Sequence, residues 1–235
     1  MATFGWAQGQ GYYFLKLKGT SSPYNLNAAS ATTVSSATLT NNLSAEQTIP
    51  FSWSFYGNSY TSFKASTSGY ITFDVAQTTD VTTNTALPDA TAPKNAIFAF
   101  WDNLKLQTVT SNGNTFPSDI RTTTYGTAPN RVHVIQWRLA QKASTSGSDI
   151  TYFAIRLYEG GDFDIIHNYG FGSFTATTGI SNSDGTQGVQ VSGSPNMGFG
   201  GNNGSYDETK SDVYKFVYGT QKSVDLHIVA NATTP

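Results

Sequence analysis

The stretch that decides the fold, IPFSWSFYGNSYTSFKASTSGYITF, runs over Ile49–Phe73. Phe51, Trp53 and Phe55 occupy every second position in it, so their side chains share one face of a β-strand. The alternation stops at Gly57, which suits a turn, and apolar residues resume beyond it. We expect the three rings to lie in the core of a sheet that packs on one face, where each contributes about 1.5–3 kcal/mol.

Composition indicates a globular β protein with a polar, weakly charged surface. The chain has 235 residues, of which 38% are hydrophobic, 14% aromatic and 12% charged, and its formal net charge is -2. Charged residues are about half as frequent as usual and the Lys and Arg residues are scattered, so neither a nucleic-acid groove nor an anionic-membrane surface is expected. The absence of cysteine excludes disulfides, thiolate metal sites and cysteine nucleophiles. No apolar run approaches the length of a membrane span.

Period-2 alternation recurs along the chain, and helical periodicity barely appears. The segment ITYFAIRLYEGGDFDIIHNYG, residues 150–170, predicts a hairpin with a type I′ turn at Gly160-Gly161. Asp184-Gly185 predicts a second hairpin. The nearly continuous apolar run in NAIFAFWDNLKLQ, residues 95–107, predicts a strand that is buried on both faces of its sheet.

These patterns predict an all-β fold, a single antiparallel two-sheet sandwich of jelly-roll type with about ten strands over residues 1–235. No linker or repeat divides the chain. Residues 1–19 are predicted to form an N-terminal edge strand, or a strand exchanged with another copy. Residues 20–48 are a Ser/Thr-rich segment with at most a weak edge strand, and residues 213–230 hold the C-terminal strands.

Six blocks over residues 49–191 carry a resemblance to a known family. In order they are IPFSWSFYGNSYTSF, SGYITF, NAIFAFWDNL, RVHVIQWR, ITYFAIRLYEGGDFDIIHNYG and TTGISNSDGTQGVQ. This order resembles a module of bacterial extracellular adhesin and surface proteins, and distantly the nidogen-type (NIDO) extracellular domain. The chain departs from the pattern at Trp101-Asp102-Asn103-Leu104, which has one carboxylate fewer. The resemblance implies a non-catalytic part of an adhesin, a surface-layer-like protein or a secreted hydrolase, and it implies no active site.

The sequence holds no motif of an enzyme active site: G-x-S-x-G, H-E-x-x-H and G-x-x-x-x-G-K-[ST] are all absent. Three histidines lie far apart in predicted strands, His133, His167 and His227. We expect each to pack against a sheet with one hydrogen bond. Three carboxylates, Glu159, Asp162 and Asp164, surround a predicted hairpin tip, where solvent contact leaves a carboxyl pKa unraised. The chain is therefore predicted not to be an enzyme.

Two short segments offer oxygen ligands for a cation. Asp102 and Asn103 end an apolar strand, and Asp184 lies in SNSDG before a tight turn. Ca²⁺ takes six to eight oxygen ligands, and neither segment is a dense acidic loop. We expect the protein to need no cofactor. If these segments bind an ion, their oxygen ligands suggest Ca²⁺.

A glycan-binding platform needs aromatic rings on loops or on an outer face, beside polar groups. The Gly/Asn-rich segments provide such residues: Tyr125, Phe199, Asn202, Asn203 and Tyr206. We expect these loops to bind glycan or protein if the domain is an adhesion module.

Three hypotheses follow for function: an extracellular surface or adhesion module that binds glycan or protein, a filament subunit, and an accessory domain of a secreted hydrolase. For the filament, the segment YYFLKLKG would be donated to the sheet of a neighbouring copy through Tyr13, Leu15 and Leu17. All three hypotheses place the protein outside the cell or on its surface, with no nucleic-acid partner and no membrane insertion. The start MATFGWAQGQGYY has no signal-peptide pattern, and we interpret it as a start left after signal removal rather than a chain made without a signal.

Overall fold

The computed structural model describes residues 11–19, 31–36, 38–145, 149–199 and 208–219. These residues form 17 β-strands and one turn of 3₁₀ helix, Glu208–Lys210, and the strands pair in antiparallel sheets. The all-β prediction is confirmed. The predicted number of about ten strands is too low, because six strands have only two or three residues and so cannot show an alternating pattern.

The larger sheet has nine strands. Seven of them form a continuous row, in the order β1 (Gly11–Lys18), β17 (Asp212–Gly219), β14 (Phe163–Phe171), β13 (Ile150–Tyr158), β12 (Val132–Lys142), β11 (Asp119–Tyr125) and β2 (Thr32–Ser36). Two short strands continue the sheet beside the last residues of β12: β8 (Leu104–Leu106) pairs with β12, and β3 (Leu39–Thr40) pairs with β8.

The smaller sheet has six strands, in the order β16 (Gly188–Gln190), β15 (Thr177–Ser181), β7 (Ala96–Trp101), β6 (Tyr70–Thr72), β5 (Asn58–Ala65) and β4 (Gln47–Phe55). A separate hairpin joins β9 (Val109–Ser111) to β10 (Asn114–Phe116). Runs of neighbouring strands that are consecutive in sequence occur in both sheets, β4 to β7 in the smaller one and β11 to β14 in the larger one. This order does not confirm the more specific jelly-roll prediction.

The two large sheets pack face to face through the aromatic residues of β4. Phe51, Trp53 and Phe55 are 6%, 0% and 0% exposed, which confirms that they belong to the core. The ring of Trp53 lies 5.8 Å from that of Phe163 on β14, across the sandwich. Trp137 on β12 donates its indole N–H to the carbonyl oxygen of Ser66 at 2.8 Å, a second link between the sheets. The interior is therefore a continuous core of large rings.

The predicted hairpin is confirmed as β13 and β14, in which Ile155 lies opposite Ile165 and Leu157 opposite Phe163. All four side chains are fully buried. The predicted type I′ turn is wrong, because such a turn needs two consecutive residues with positive φ and only Gly161 has one, at 101°. The second predicted hairpin is confirmed as β15 and β16.

Residues 74–95 cover the outer face of the smaller sheet. All six residues of β7 are buried, which confirms the prediction of a strand enclosed on both faces. Two links hold the covering segment: Trp101 donates to the carbonyl of Val81 at 2.7 Å, and Asp80 accepts hydrogen bonds from the hydroxyls of Ser66 and Ser68 at 2.5 and 2.7 Å.

β1 is an edge strand that pairs with β17 of the same chain over all eight residues. Its buried side chains are Tyr12 and Phe14, each 4% exposed. The proposed donor residues Tyr13, Leu15 and Leu17 lie on the opposite face, because side chains alternate along a strand. Lys16 and Lys18 lie on the same face as Tyr12 and Phe14, further along the strand, and both form ion pairs with the carboxylate of Asp212.

Candidate ligand-binding cleft

An open cleft of about 250 Å³ lies at the end of the sandwich where β4 turns into β5, β15 turns into β16, and β17 ends. Six residues line it: Tyr56, Asn58, Asn182, Ser183, Gln187 and Tyr218. We call this group of six residues the end cleft. It draws on both sheets, so its shape depends on how the two sheets pack.

Tyr56 is placed by a strained turn. Tyr56 and Gly57 have φ angles of 47° and 78°, as in a type I′ hairpin turn, a conformation that costs free energy for a residue with a large side chain. The rings of Phe55 and Tyr12 lie 4.9 and 5.0 Å from the Tyr56 ring, both edge to face, and hold it in place. Burial raises the pKa of the Tyr56 hydroxyl, with a further contribution from Tyr218, so the phenol stays protonated at neutral pH.

Tyr218 supplies the most exposed ring of the end cleft, with 48% of its surface open to solvent. One side of this ring rests on Gly11, where an added Cβ would lie 2.4 Å from Tyr218 Cε2. The Tyr12 ring contacts it edge to face at 5.0 Å. A Cβ on Gly57 would lie 4.0 Å from Tyr218 Oη, so the β17 end and the β4–β5 turn approach each other across the cleft.

The loop between β15 and β16 is held by hydrogen bonds from Asn182. Its Oδ1 accepts from the Gln187 backbone N–H at 3.1 Å, its own N–H donates to the Gln187 carbonyl at 2.9 Å, and its carbonyl accepts from Asn95 N–H at 2.8 Å. The side chains of Ser183 and Gln187 are exposed on this fixed loop. The loop therefore presents a hydroxyl and a carboxamide to solvent from an ordered backbone.

None of the six lining side chains carries a charge at neutral pH. Two carboxylates on neighbouring loops are engaged elsewhere: Asp162 lies 3.6 Å from Lys215 Nζ, and Asp184 Oδ1 accepts from the Thr186 backbone N–H at 2.9 Å. The end cleft consists of two phenols, three carboxamides and one hydroxyl, groups that both donate and accept hydrogen bonds. It is suited to a neutral polar ligand.

A family model described as "NIDO related" matches residues 11–218, from the first residue of β1 to the penultimate residue of β17. The chain belongs to the NIDO-related family. No curated protein and no solved structure matches it significantly. The predicted distant similarity to NIDO domains over residues 49–191 is confirmed and extends at both ends, so the NIDO-related domain includes the edge strand β1.

NIDO-related domains are generally extracellular. Within the part of the chain that the structure describes, no helix has the length and hydrophobicity to cross a membrane.

The structure does not bring the predicted loop aromatics of this NIDO-related domain together. Tyr125 lies at the end of β11 and packs beside Val132 and Val134 in a cluster outside the main core. Phe199 packs at 5.2 Å from Phe100, against the main core. Neither residue lines the end cleft. The other three predicted ligand-binding residues lie outside the described residues: Asn202, Asn203 and Tyr206.

The predicted cation ligands of the NIDO-related domain lie at opposite ends of the sandwich. Asp102 follows the last residue of β7, and Asp184 lies three residues beyond the end of β15, which runs antiparallel to β7. Both oxygens of Asp102 accept backbone N–H bonds, from Asn103 at 2.7 Å and Thr175 at 3.0 Å. Among the described residues there is no group of three or more His, Asp or Glu that could share an ion. Ca²⁺ binding stays a prediction.

The carboxylates at the β13–β14 turn differ in their environments. Asp164 is 3% exposed and lies 2.5 Å from Arg156 Nη2, so the expectation that it projects into solvent is wrong. The strand alternation after the turn points it away from the core, but Arg156 and the Tyr158 hydroxyl, which donates at 2.7 Å, enclose it. Glu159 accepts three hydrogen bonds from Arg131, two from the guanidinium and one from the backbone N–H, and these lower its carboxyl pKa.

The histidines form no shared site in the described residues. His133 lies between the hydroxyls of Thr122 and Thr124, each at 2.9 Å, which is one hydrogen bond more than expected. His167 lies 2.7 Å from the carbonyl oxygen of Ala99. His227 lies outside the described residues.

The sequence contains a signal for one part of the end cleft and none for the rest. Tyr56-Gly57-Asn58 interrupts the alternation of the opening stretch, which marks a hairpin tip with an aromatic residue at its first position. Tyr218 and Gln187 are more than thirty residues apart in sequence, and only the pairing of β17 and the packing of the two sheets bring them to one end.

Proposed function

We propose that this NIDO-related domain is a non-catalytic extracellular recognition module that works without a cofactor and binds glycan or protein on a surface through the loops at the end cleft. The observation that supports this most is the end cleft itself, in which two aromatic rings and four uncharged hydrogen-bonding side chains lie on hydrogen-bonded loops. Among the described lining residues there is no acid and no base to transfer a proton. Recognition is the function that this chemistry serves.

Binding to surfaces tests this proposal. The labelled 235-residue chain is titrated on fixed microbial cells, fixed animal cells and the purified matrix proteins collagen, fibronectin and laminin. We expect saturable binding that Tyr218→Ala weakens at least about fivefold, because it removes the most exposed ring of the cleft. Phe171→Ala is the matched control, since Phe171 is 55% exposed at the far end of β14. Absence of saturable binding, or an equal loss in both variants, would contradict the proposal.

A filament subunit is the second candidate, and the position of β1 favours it. β1 is an edge strand with one pairing partner among the described strands, β17, and it contributes two buried rings. A strand in this position can be replaced by the same strand of another copy without any change in the order of the sheet.

Strand exchange predicts concentration-dependent assembly. The chain should form dimers and longer polymers when it is refolded at high concentration, seen by light scattering and electron microscopy. A synthetic peptide of residues 11–18 should compete for the pairing edge of β17 and reduce assembly, and a peptide of the same composition in scrambled order should not. A monomer at every concentration would exclude this candidate.

A further inference from the structure

We infer that the end cleft binds a single sugar ring of a neutral glycan, with Tyr218 as the stacking residue and the carboxamides of Asn58 and Gln187 as the hydrogen-bonding residues. This inference rests on the proposed recognition function and names its ligand class. Of the two ligand classes in the proposed function, glycan and protein, it assigns glycan to this cleft.

The first step concerns the ring of Tyr218. Gly11 and Tyr12 cover one side and one edge of the ring, which fixes its orientation, and about half of the residue stays exposed at 48%. A fixed aromatic ring that is open on one side provides a flat apolar surface. The C–H face of a pyranose matches such a surface, whereas a flexible aliphatic chain would gain little from its flatness.

The second step concerns the carboxamides. Each carboxamide offers one acceptor and two donors in a plane, so it can accept from one sugar hydroxyl and donate to the next. Asn58 and Gln187 are exposed and come from separate parts of the smaller sheet, because Asn58 begins β5 and Gln187 precedes β16, with β6, β7 and β15 between those two strands. Asn182 has a different task, because its Oδ1 is engaged by the Gln187 backbone N–H.

The third step concerns charge and size. The six lining side chains are uncharged, so sialic acid, uronic acids and sulfated sugars find no cation in the cleft to pair with. The volume of about 250 Å³ is below the roughly 300–1,000 Å³ of pockets that enclose drug-sized ligands. One ring fits inside, and the remainder of a longer glycan extends into solvent.

Glycan binding by the 235-residue chain tests the inference. The probes are immobilised glycans that end in glucose, galactose, mannose or N-acetylglucosamine, with sialylated and sulfated forms of the same backbones. Hits are then titrated in solution by calorimetry as methyl glycosides. We expect binding to at least one neutral terminus, with an affinity that changes less than about twofold between 50 and 500 mM NaCl because no charge is involved.

The variants separate the parts of the site. Tyr218→Ala should weaken binding at least about tenfold, Tyr218→Phe should retain it within about threefold because the ring remains, and Phe171→Ala should leave it unchanged. Asn58→Asp changes an exposed residue beside the turn and should weaken binding at least about threefold. This variant tests the site if Tyr218→Ala fails to fold.

Three outcomes would overturn the inference: binding to charged glycans alone, binding to no glycan, or full binding by both Tyr218→Ala and Asn58→Asp. If the chain binds none of these glycans but still binds a matrix protein in a manner that depends on Tyr218, the recognition function stands and the glycan assignment is wrong. If it binds neither, both are wrong.

Discussion

Replacing Trp53 by alanine should lower the free energy of unfolding by about 4 kcal/mol, as is typical when a large aromatic side chain is removed from a close-packed core. Trp53 is fully buried, and its ring contacts Phe55, Phe73 and Phe163 at 5.3 to 5.8 Å. These neighbours come from both sheets, so the side chains around the cavity cannot close it without a shift of one sheet. Equilibrium unfolding in urea measures this decrease, and the slope of the free energy of unfolding against urea concentration should stay unchanged.

Two variants on the same strand serve as controls for Trp53→Ala. Ser54→Ala changes an exposed side chain and should alter the free energy of unfolding by less than about 0.5 kcal/mol. Trp53→Phe should lose clearly less than Trp53→Ala, because a ring remains and the buried indole N–H has no hydrogen-bond partner among the described residues. A Trp53→Ala protein as stable as Ser54→Ala would show that the ring does not lie between the sheets.

The elements that the sequence predicts well are those whose burial pattern is set within the element itself. β4 alternates exposed and buried positions because one face meets the core, and β7 is apolar throughout because residues 74–95 cover its second face. The hairpin of β13 and β14 combines a Gly-Gly turn with inward-facing residues on both strands. In each case one local pattern follows directly from the packing, so it can be read without knowledge of the rest of the fold.

The features that the sequence does not predict depend on contacts between distant segments. Asp164 follows a solvent-exposed turn, and its burial depends on Arg156 across the hairpin. Phe199 lies in a Gly-rich segment typical of a surface loop, but it packs against Phe100 and His167. Tyr218 is the next-to-last residue of its strand, and its role in the end cleft depends on the turn after β4 in the other sheet. Composition and periodicity carry no information on such contacts.

Acidification from pH 7 to pH 5 should lower the free energy of unfolding by about 4 kcal/mol through two buried histidines. Burial lowers the pKa of His133 to about 4. Burial also lowers the pKa of His167 to about 4, while the Ala99 carbonyl and the nearby Asp212 raise it and Lys16 lowers it. An unfolded histidine titrates near 6.5, so between about pH 6.5 and 4 the unfolded chain binds more protons than the folded one.

The sign follows from this difference in protons. The folded state holds both imidazoles neutral, so stability is greatest above about pH 6.5 and falls as the pH decreases toward about 4. At pH 5 each histidine accounts for about 2 kcal/mol, since one pKa unit corresponds to about 1.4 kcal/mol. Hydrogen bonds lower the carboxyl pKa values of Asp89, Glu159 and Asp184, so these groups stay ionised at pH 5 and lose their stabilising effect at lower pH.

Variants assign the pH dependence to individual residues. The free energy of unfolding of His133→Gln and of His167→Gln is measured in urea at pH 7 and at pH 5. Between these two pH values each variant should lose about half as much stability as the unchanged chain, because glutamine does not titrate. This comparison holds whatever the stability of the variant at pH 7. His227→Gln reports the contribution of the third histidine, which lies outside the described residues. If both buried-histidine variants lost as much stability between pH 7 and pH 5 as the unchanged chain, the protons would bind to other groups. The two buried imidazoles would then not be the cause of the pH dependence.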